Sequence, residues 1–302
     1  MSTRASTNQP WPEGFSLSGP STSLDPRVNA FRKDIADIRL AGRVIASHYA
    51  RAAMHRCVAP TTMLLAEPKV DARAVSQLVA GEDFALLDRD GTWGWGYCRT
   101  DGYVGYAALA DLQMATAAEP THCVSAPLAL SFAEADLKSP LRHRLPMGAR
   151  LVVTGTEGDF AGTSLGWIHR RHLTPAGDTT ADPVAIAEKL VGAPYLWGGR
   201  AGDGLDCSGL VQLALGFAGI AAPRDSDQQR EQLGTAVDAD RLQRGDLVFF
   251  PGHVGMMVDA ERIIHANAWW MAVTVEPLGA VVDRLRDTTP QPITAVKRLT
   301  PA

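Results

Sequence analysis

The pattern of hydrophobic and polar positions changes several times along the chain. Residues 1 to about 27 are rich in Ser, Thr, Pro and Gly, which predicts a flexible leader. Residues 28–57 mix apolar and charged positions in a way that allows a helix. From 58 to 175, short apolar runs alternate with turn-forming residues, as is typical of small all-β modules.

A weak repeat divides the β-rich part into two modules. Gly105-Tyr106 precedes Leu112 by the same interval at which Gly166-Trp167 precedes Leu173, and the pattern recurs after 61 residues. Strand-rich modules of this size usually form barrels or sandwiches. We therefore expect the following domains: an N-terminal extension at 1–57, two small all-β barrels at 58–116 and 117–176, and a larger domain at 177–302.

Three aromatic rings share one face of a strand predicted near residues 93–98. Trp93, Trp95 and Tyr97 alternate with small residues, so their side chains point to the same side. Such a stripe is either a ligand-binding face or the buried core of a barrel, and the buried core is the more frequent arrangement. Both interpretations stay open on the sequence alone.

The C-terminal domain begins with helices and continues with strands, an order that favours the α+β class. Asp182 and Pro183 provide an N-cap and a first-turn proline for a helix that ends near Val191. The predicted strands cover residues 247–250, 253–258, 263–266 and 271–275.

A cysteine stands at the start of a predicted buried helix. Residues 210–215 are apolar on nearly every side, and Cys207 precedes them directly. The free N–H groups and the dipole of a helix N-terminus favour a thiolate, so Cys207 is a candidate nucleophile. The carboxylate of Asp206 opposes this effect unless it caps the helix.

Two histidines are candidates for the general base. A three-residue loop at 259–261 would place Gly255 opposite His265, which makes His253 and His265 diagonal neighbours on one face. Their Cα atoms would then lie about 7–8 Å apart, within reach of two imidazoles. A loop of two or four residues would send His265 to the other face.

Composition narrows the possible functions. The 302 residues include 29 Lys+Arg and 33 Asp+Glu, a formal charge of −4. This balance gives no support for nucleic-acid or anionic-membrane binding. The longest apolar stretch, 207–223, is too short for a membrane span, and the N-terminus has no apolar core of a secretory signal. We therefore expect a cytoplasmic protein whose cysteines (Cys57, Cys98, Cys123 and Cys207) are free thiols.

Cofactor sites have little support in the sequence. One cysteine and two histidines permit a zinc site, but no fourth ligand stands at a close spacing. The glycines at 198–204 match no phosphate-binding loop. We expect neither a metal nor another cofactor, and the sequence does not indicate the oligomeric state.

Six ordered motifs between residues 183 and 299 resemble the NlpC/P60 family of cell-wall cysteine peptidases. They are Tyr195-Leu-Trp-Gly-Gly, Leu205-Asp-Cys-Ser-Gly-Leu, Pro223-Arg-Asp-Ser, Arg244-Gly-Asp-Leu-Val-Phe-Phe, His253-Val-Gly and Ile264-His-Ala. The upstream segments resemble bacterial SH3 domains more loosely. This order of domains is similar to that of γ-D-glutamyl-L-diamino acid endopeptidases of peptidoglycan-peptide recycling, and it implies a papain-like catalytic domain.

The resemblance implies roles for the catalytic residues. Cys207 matches the family nucleophile, His253 the general base and His265 the polar residue that orients His253. Such a triad hydrolyses an amide through an acyl-enzyme. Tyr195 corresponds to a tyrosine of the catalytic cleft, whose hydroxyl would stabilise the oxyanion together with the N–H of Cys207. Packing beside Trp197 is the alternative role for that ring.

The resemblance also implies how a substrate is recognised. In the recycling-type relatives an aspartate receives the free α-amine of L-Ala, and Asp225 matches it. The alternative for Asp225 is the N-cap of the next helix. Ser208 and Ser226 would line the pocket for the D-Glu carboxylate.

The first SH3 module of such relatives contributes an acidic residue and a tyrosine to the wall of the site. Glu67 and Tyr103 are the candidates here, and Glu82 and Tyr106 compete with them. The substrate-binding residues expected from the sequence are therefore Tyr195, Asp206, Ser208, Asp225, Ser226, Glu67 and Tyr103.

These inferences predict a cysteine endopeptidase that cleaves the γ-D-Glu–diamino acid bond of murein-derived peptides with a free N-terminal L-Ala. Two alternatives remain open. One is a hydrolase of intact wall whose SH3 modules dock on peptidoglycan; the other is a related thiol acyltransferase or amidase. The sequence does not distinguish diaminopimelate from lysine as the third residue.

Overall fold

The computed structural model describes residues 23–180 and 182–299. Most of the expected leader therefore lies outside the described residues. The N-terminal extension contains β1 (Ile35–Asp37) and β2 (His48–Ala50). The first β module contains β3 (Ala53–Cys57), β4 (Thr61–Leu65), β5 (Ala74–Val79), β6 (Asp83–Asp90), β7 (Trp93–Cys98), β8 (Val104–Ala108) and β9 (Leu112–Met114).

The second β module and the C-terminal domain follow. The second module contains β10 (His122–Val124), β11 (Leu128–Phe132), β12 (Leu141–Pro146), β13 (Arg150–Leu151), β14 (Gly155–Glu157), β15 (Phe160–Thr163), β16 (Gly166–His169) and β17 (Leu173–Pro175). The C-terminal domain contains α1 (Pro183–Glu188), β18 (Arg200–Ala201), β19 (Gly204–Leu205), α2 (Cys207–Phe217), α3 (Ser226–Gln232), β20 (Thr235–Ala236), β21 (Leu247–Phe250), β22 (His253–Met257), β23 (Arg262–Asn267), β24 (Ala272–Pro277), α4 (Leu278–Arg286) and β25 (Ala295–Arg298).

The helix allowed for residues 28–57 is not formed, so that expectation is wrong. Instead, β1 and β2 pair in parallel. Between them a short 3₁₀ helix, Ile38–Leu40, begins at Asp37, whose carboxylate accepts from the N–H of Arg39 at 2.8 Å. Gly42 then turns the chain at a φ of +80°. Local carboxylate-to-backbone bonds and a left-handed glycine therefore replace the helix that the apolar spacing allowed.

The first β module is a seven-stranded sheet in the order β5-β4-β8-β7-β6-β3-β9. Strand β3 pairs with both β6 and β9, so the module begins before residue 58. A core including Leu64, Leu78 and Phe84 fills its interior. Gly96 faces this interior, where an added Cβ would lie 2.1 Å from a backbone oxygen of β6.

The aromatic stripe of β7 lies on the opposite face and is covered by the N-terminal extension. Trp95 and Tyr97 are 4% and 6% exposed and pack with Ala30 and Ile35. The guanidinium of Arg32 lies 4.4 Å from the ring centroid of Trp95, a cation–π contact. Trp95 and Tyr97 thus belong to a core between the extension and the sheet, while Trp93 at the start of the strand is half-buried.

The second β module repeats the end of the first. Its strands form two sheets, β13-β10-β17 and β12-β11-β16-β15-β14. In both modules a 3₁₀ helix joins the last two strands, over Leu109–Asp111 and Arg170–His172. These helices are 61 residues apart, which confirms the repeat seen in the sequence.

The C-terminal domain has a six-stranded sheet in the order β20-β25-β21-β22-β23-β24, between helices on its two faces. Helices α1 and α2 pack in one core with Val254 and Ile264, while α4 packs in a second core with Val248 and Met257. Asp182 caps α1 by accepting from the N–H of Val184 at 3.0 Å. The α+β class is confirmed.

Candidate active site

Cys207 is the first residue of α2, and the residues around it fix this helix start. Asp206 caps the helix, because its Oδ1 accepts from the N–H of Gly209 at 2.8 Å. Its Oδ2 accepts from the N–H of Gly198 at 2.9 Å and from Arg224. Arg224 is fully buried, so its charge directly offsets that of Asp206.

Cys207 is 8% exposed, and its thiol lies against the start of β22. The N–H groups of Ser208 and of Val254, the residue that follows His253, lower the pKa of this thiol and oppose the effect of burial. Burial, with a further contribution from the Asp206 carboxylate, raises the pKa of Cys207 to about 11. Burial of the sulfur thus opposes the helix N-terminus, whose free N–H groups favour the thiolate.

The hairpin that carries the two histidines has the predicted register. Met256 pairs with Ile264 and Met257 with Ile263, which puts Gly255 opposite His265. The three-residue loop is stabilised by the Asp259 carboxylate, which accepts from the N–H groups of Glu261 and Arg262 at 2.9 and 2.8 Å.

The two imidazoles are in direct contact, and a carboxylate continues the chain. Nε2 of His253 lies 2.8 Å from Nδ1 of His265, and Nε2 of His265 lies 2.8 Å from Oε1 of Glu276. Arg284 of α4 forms ion pairs with both oxygens of Glu276. Sequence reasoning missed Glu276 and Arg284. The signal was the position of Glu276 on the strand after His265, diagonal to that histidine across the β23–β24 pair.

This chain of contacts fixes which nitrogens carry protons. Arg284 and His265 hold the pKa of Glu276 down at about 2, so Glu276 is an ionised acceptor. Nε2 of His265 therefore donates to Glu276, and Nδ1 of His265 accepts from Nε2–H of His253. Nδ1 of His253 is then left as an unprotonated base. Burial and the neighbouring His265 lower the pKa of His253 to about 3, which keeps this base neutral.

Tyr195 and Ser208 flank the cysteine. Burial and the nearby Cys207 and Asp206 raise the pKa of Tyr195 to about 12, so its hydroxyl is a hydrogen-bond donor. Ser208 is buried; its hydroxyl donates to Asp206 at 3.2 Å and accepts from Arg224 at 3.0 Å. Ser208 thus supports the ion pair beside Cys207.

Asp225 lies at the N-cap position of α3, but its carboxylate does not cap the helix. Instead, Oδ2 of Asp225 accepts from the hydroxyl of Tyr103 at 2.9 Å and from Nη1 of Arg27 at 2.8 Å. The structure therefore brings Tyr103 of the first β module to Asp225. Ser226 follows as the half-buried first residue of α3.

The acidic candidates of the first β module occupy two different places. Glu67 is largely exposed and forms an ion pair with Lys69 at 3.1 Å. Glu82 is buried and forms an ion pair with Arg200 of the C-terminal domain at 2.9 Å. Tyr106 accepts from Arg32 at 3.0 Å. Glu67 is thus on the surface, while Glu82 joins two domains.

Comparison with known proteins agrees with this geometry. Residues 192–282 match the model of the NlpC/P60 family. The C-terminal domain is an NlpC/P60 domain. Residues 64–112 match the bacterial dipeptidyl-peptidase Sh3 domain, so an SH3 domain precedes the cysteine-peptidase domain.

Two relatives and one solved structure define the extent of the similarity. Dipeptidyl-peptidase 6 of Lysinibacillus sphaericus is 27% identical over 80% of this chain and 98% of its own length. Gamma-D-glutamyl-L-lysine dipeptidyl-peptidase of Bacillus cereus is 37% identical over 35% of this chain, and the match spans only 33% of that relative. A crystal structure of an NlpC/P60 family protein from Bacillus cereus covers 82% of this chain and 100% of its own, with a TM-score of 0.70 at 21% identity, which shows the shared fold.

Three further findings concern the expectations on thiols, membranes and metals. All four cysteines are free. Among the described residues, none of the helices combines the length and apolar character needed to cross a membrane. His253 and His265 are joined by a hydrogen bond, so the zinc alternative would require breaking this pair.

Proposed function

We propose that this NlpC/P60 peptidase hydrolyses the γ-D-Glu–L-diamino acid bond of murein-derived peptides that have a free N-terminal L-Ala, in cytoplasmic recycling of wall peptides. The observation that carries the proposal is the carboxylate of Asp225. It leaves its own helix uncapped and is held by Tyr103, next to the Arg224–Ser208 contacts that flank Cys207. A carboxylate placed in this way suits a substrate ammonium. The names of the relatives support the bond that is cut.

The reaction follows from the proton positions. As the thiol of Cys207 approaches the γ-carbonyl of D-Glu, its proton passes to Nδ1 of His253, and a C–S bond forms. The N–H of Cys207 and the hydroxyl of Tyr195 stabilise the oxyanion, and one such donor is typically worth about 10²–10³ in rate. His253 then gives its proton to the leaving amine of the diamino acid as the C–N bond breaks.

The acyl-enzyme is resolved by the same base. His253 takes a proton from water, the hydroxide adds to the thioester, and Cys207 leaves with that proton returned from His253. The products are L-Ala-D-Glu and the free diamino acid, and no oxidant or metal is consumed. Glu276 and His265 hold His253 in its reactive tautomer during both the acylation and the deacylation step.

Recognition of the substrate rests on charge pairing. The ammonium of L-Ala would pair with Asp225, while Ser208 and Ser226 would line the pocket for the D-Glu carboxylate. A glycan-linked stem lacks the ammonium and would leave the Asp225 carboxylate without its partner.

The test compares L-Ala-γ-D-Glu-diaminopimelate with its N-acetylated form. We expect at least a hundredfold preference for the free amine in kcat/KM, and we expect Asp225→Asn to remove most of it. Equal cleavage of both peptides by the wild type would refute amine recognition. Cys207→Ala, which keeps the helix start, is the inactive control for contaminating peptidases.

The two alternatives make different predictions. Trp95 and Tyr97 of β7 are buried under the extension, and Arg200–Glu82 joins the first β module to the C-terminal domain. Both observations favour a module that shapes the cleft rather than one that docks on a wall polymer. Sedimentation with insoluble peptidoglycan separates these functions, since we expect the protein to stay in the supernatant. Acyl transfer to an added amine at the expense of hydrolysis would instead favour an acyltransferase.

A further inference from the structure

Arg27 joins the N-terminal extension to the carboxylate proposed to bind the amine. Its backbone oxygen accepts from the N–H of Val104 at 2.8 Å, which anchors it on the first β module, one residue from Tyr103. Its side chain reaches α3, where Nη1 donates to Oδ2 of Asp225 at 2.8 Å and to Oδ1 of Asp227 at 2.9 Å. One side chain therefore connects the extension, the first module and the catalytic domain.

Every N–H donor of this guanidinium has a carboxylate partner. Nε donates to Asp25 at 3.1 Å, and Nη2 donates to Asp25 and Asp227 at 2.8 Å each. A planar fork with five donors can make paired bonds to several carboxylates at once, whereas a lysine ammonium has three donors on a single nitrogen. The three aspartates and one arginine of this group carry a formal charge of −2, so the cluster still attracts a cation.

The contacts use only one oxygen of Asp225. Oδ2 accepts from both Tyr103 and Arg27, while Oδ1 has no hydrogen-bond partner in the described ranges. Next to it, Gln228 is 5% exposed and donates to Asp25, but its own Oε1 is without a partner among the described groups. Arg27 and Tyr103 therefore fix the Asp225 carboxylate but leave two acceptors beside it unused, Oδ1 of Asp225 and Oε1 of Gln228.

We propose that Arg27 is a positioning residue for substrate recognition. By holding Oδ2 together with Tyr103, it presents Oδ1 of Asp225 to the ammonium of the substrate, so residues 25–27 complete the amine site. This inference rests on the proposed function. Arg27 does not touch the reacting atoms, and for this reason it acts on KM and on the preference for a free amine rather than on kcat.

The experiment measures kcat and KM for the free and the N-acetylated tripeptide in the full chain. We expect Arg27→Ala to raise KM for the free-amine peptide about tenfold with kcat within twofold, because a lost charge-assisted bond at a half-exposed site has about this effect. Arg27→Lys should recover only part of the loss, and the N-acetylated peptide should react as with the wild type. Arg32→Ala is the matched control, since Arg32 binds Asp34 and Asp88 away from α3.

Each other result decides against the proposal. If Arg27→Ala leaves the KM for the free-amine peptide unchanged, the contact between Arg27 and Asp225 is purely structural. If the KM falls, Arg27 competes with the substrate for Asp225. If the wild type cleaves the free and the N-acetylated peptide equally well, the proposed function and this inference are both overturned. If the wild type prefers the free-amine peptide but Arg27→Ala has the same KM as the wild type, this inference alone is overturned. Thermal melts check folding; if the alanine variant does not fold, an increase of KM by threefold or more in Arg27→Lys supports the proposal and its absence refutes it.

Discussion

Replacing Glu276 by glutamine tests the proton positions deduced for His253 and His265. The glutamine has the same size as the glutamate, but it is neutral and carries an N–H₂ group beside its oxygen. Arg284 forms ion pairs with both carboxylate oxygens and would retain the amide oxygen of the variant. The amide N–H₂ would then donate to Nε2 of His265, which reverses the tautomer of His265. His253 in turn would carry its proton on Nδ1 and lose its basic nitrogen toward Cys207.

The size of the effect follows from the position of Glu276 in the chain of contacts. A wrong tautomer imposed directly on a catalytic histidine reduces kcat by about 10⁴. Here a second imidazole lies between the carboxylate and the base, with N···N and N···O distances of 2.8 Å. Partial relaxation through this imidazole reduces the expected loss to about 10²–10³ in kcat, or about 2.7–4 kcal/mol. KM should change less than twofold, because Glu276 does not contact the proposed amine site.

Two assays measure this loss. Steady-state hydrolysis of the free-amine tripeptide gives kcat, and the rate of iodoacetamide alkylation of Cys207 reports the basicity of His253 without any assumption on the substrate. Glu276→Asp retains the charge and should keep more activity than the glutamine variant. Glu188→Gln, which removes a surface partner of Arg244, is the matched control. A kcat within threefold of the wild type in Glu276→Gln would refute the tautomer argument.

Four further predictions concern pH and buried charges. Because burial lowers the pKa of His253 to about 3, kcat/KM measured from pH 4 to 8 should hold its plateau down to about pH 5, and an acid limb centred near 6.5 would contradict this. The same depressed pKa means that the unfolded chain binds the extra proton, so the free energy of unfolding in urea should fall as the pH drops below about 6.5. Arg224→Met leaves Asp206 buried without its cation and should cost about 3–5 kcal/mol of unfolding free energy; a loss below 1 kcal/mol would be inconsistent with the buried pair. Arg200→Met should be destabilising for the same reason, and the double variant with Glu82→Gln should recover most of the loss, whereas additive losses would show that the two residues are not coupled.

Local sequence patterns were enough to predict the helix start at Cys207 and the pairing of the two histidines. The position of Cys207 at a helix start follows from the apolar run behind it and from the capping residue Asp206. The facing histidines follow from a three-residue loop, since a strand register depends only on loop length and alternation.

The remaining contacts depend on tertiary structure that a local pattern does not contain. Arg27 reaches Asp225 across 198 residues, and this contact exists only because the extension packs on the aromatic face of β7. Glu82, and not Glu67, is buried between the first β module and the C-terminal domain, because it pairs with Arg200, 118 residues further along the chain. The burial that raises the pKa of Cys207 also depends on tertiary packing, whereas the helix start that favours a thiolate is visible in the sequence.

Intact mass spectrometry of acid-quenched reactions tests most directly whether Cys207 is the nucleophile that cleaves the γ-D-Glu bond. The wild type is mixed with the free-amine tripeptide, quenched within milliseconds to seconds and digested to locate any added mass. We predict an L-Ala-D-Glu acyl group on Cys207 that appears before product release and is absent from Cys207→Ser and from His253→Ala. Turnover without this adduct, or an adduct on a different residue, would contradict the account.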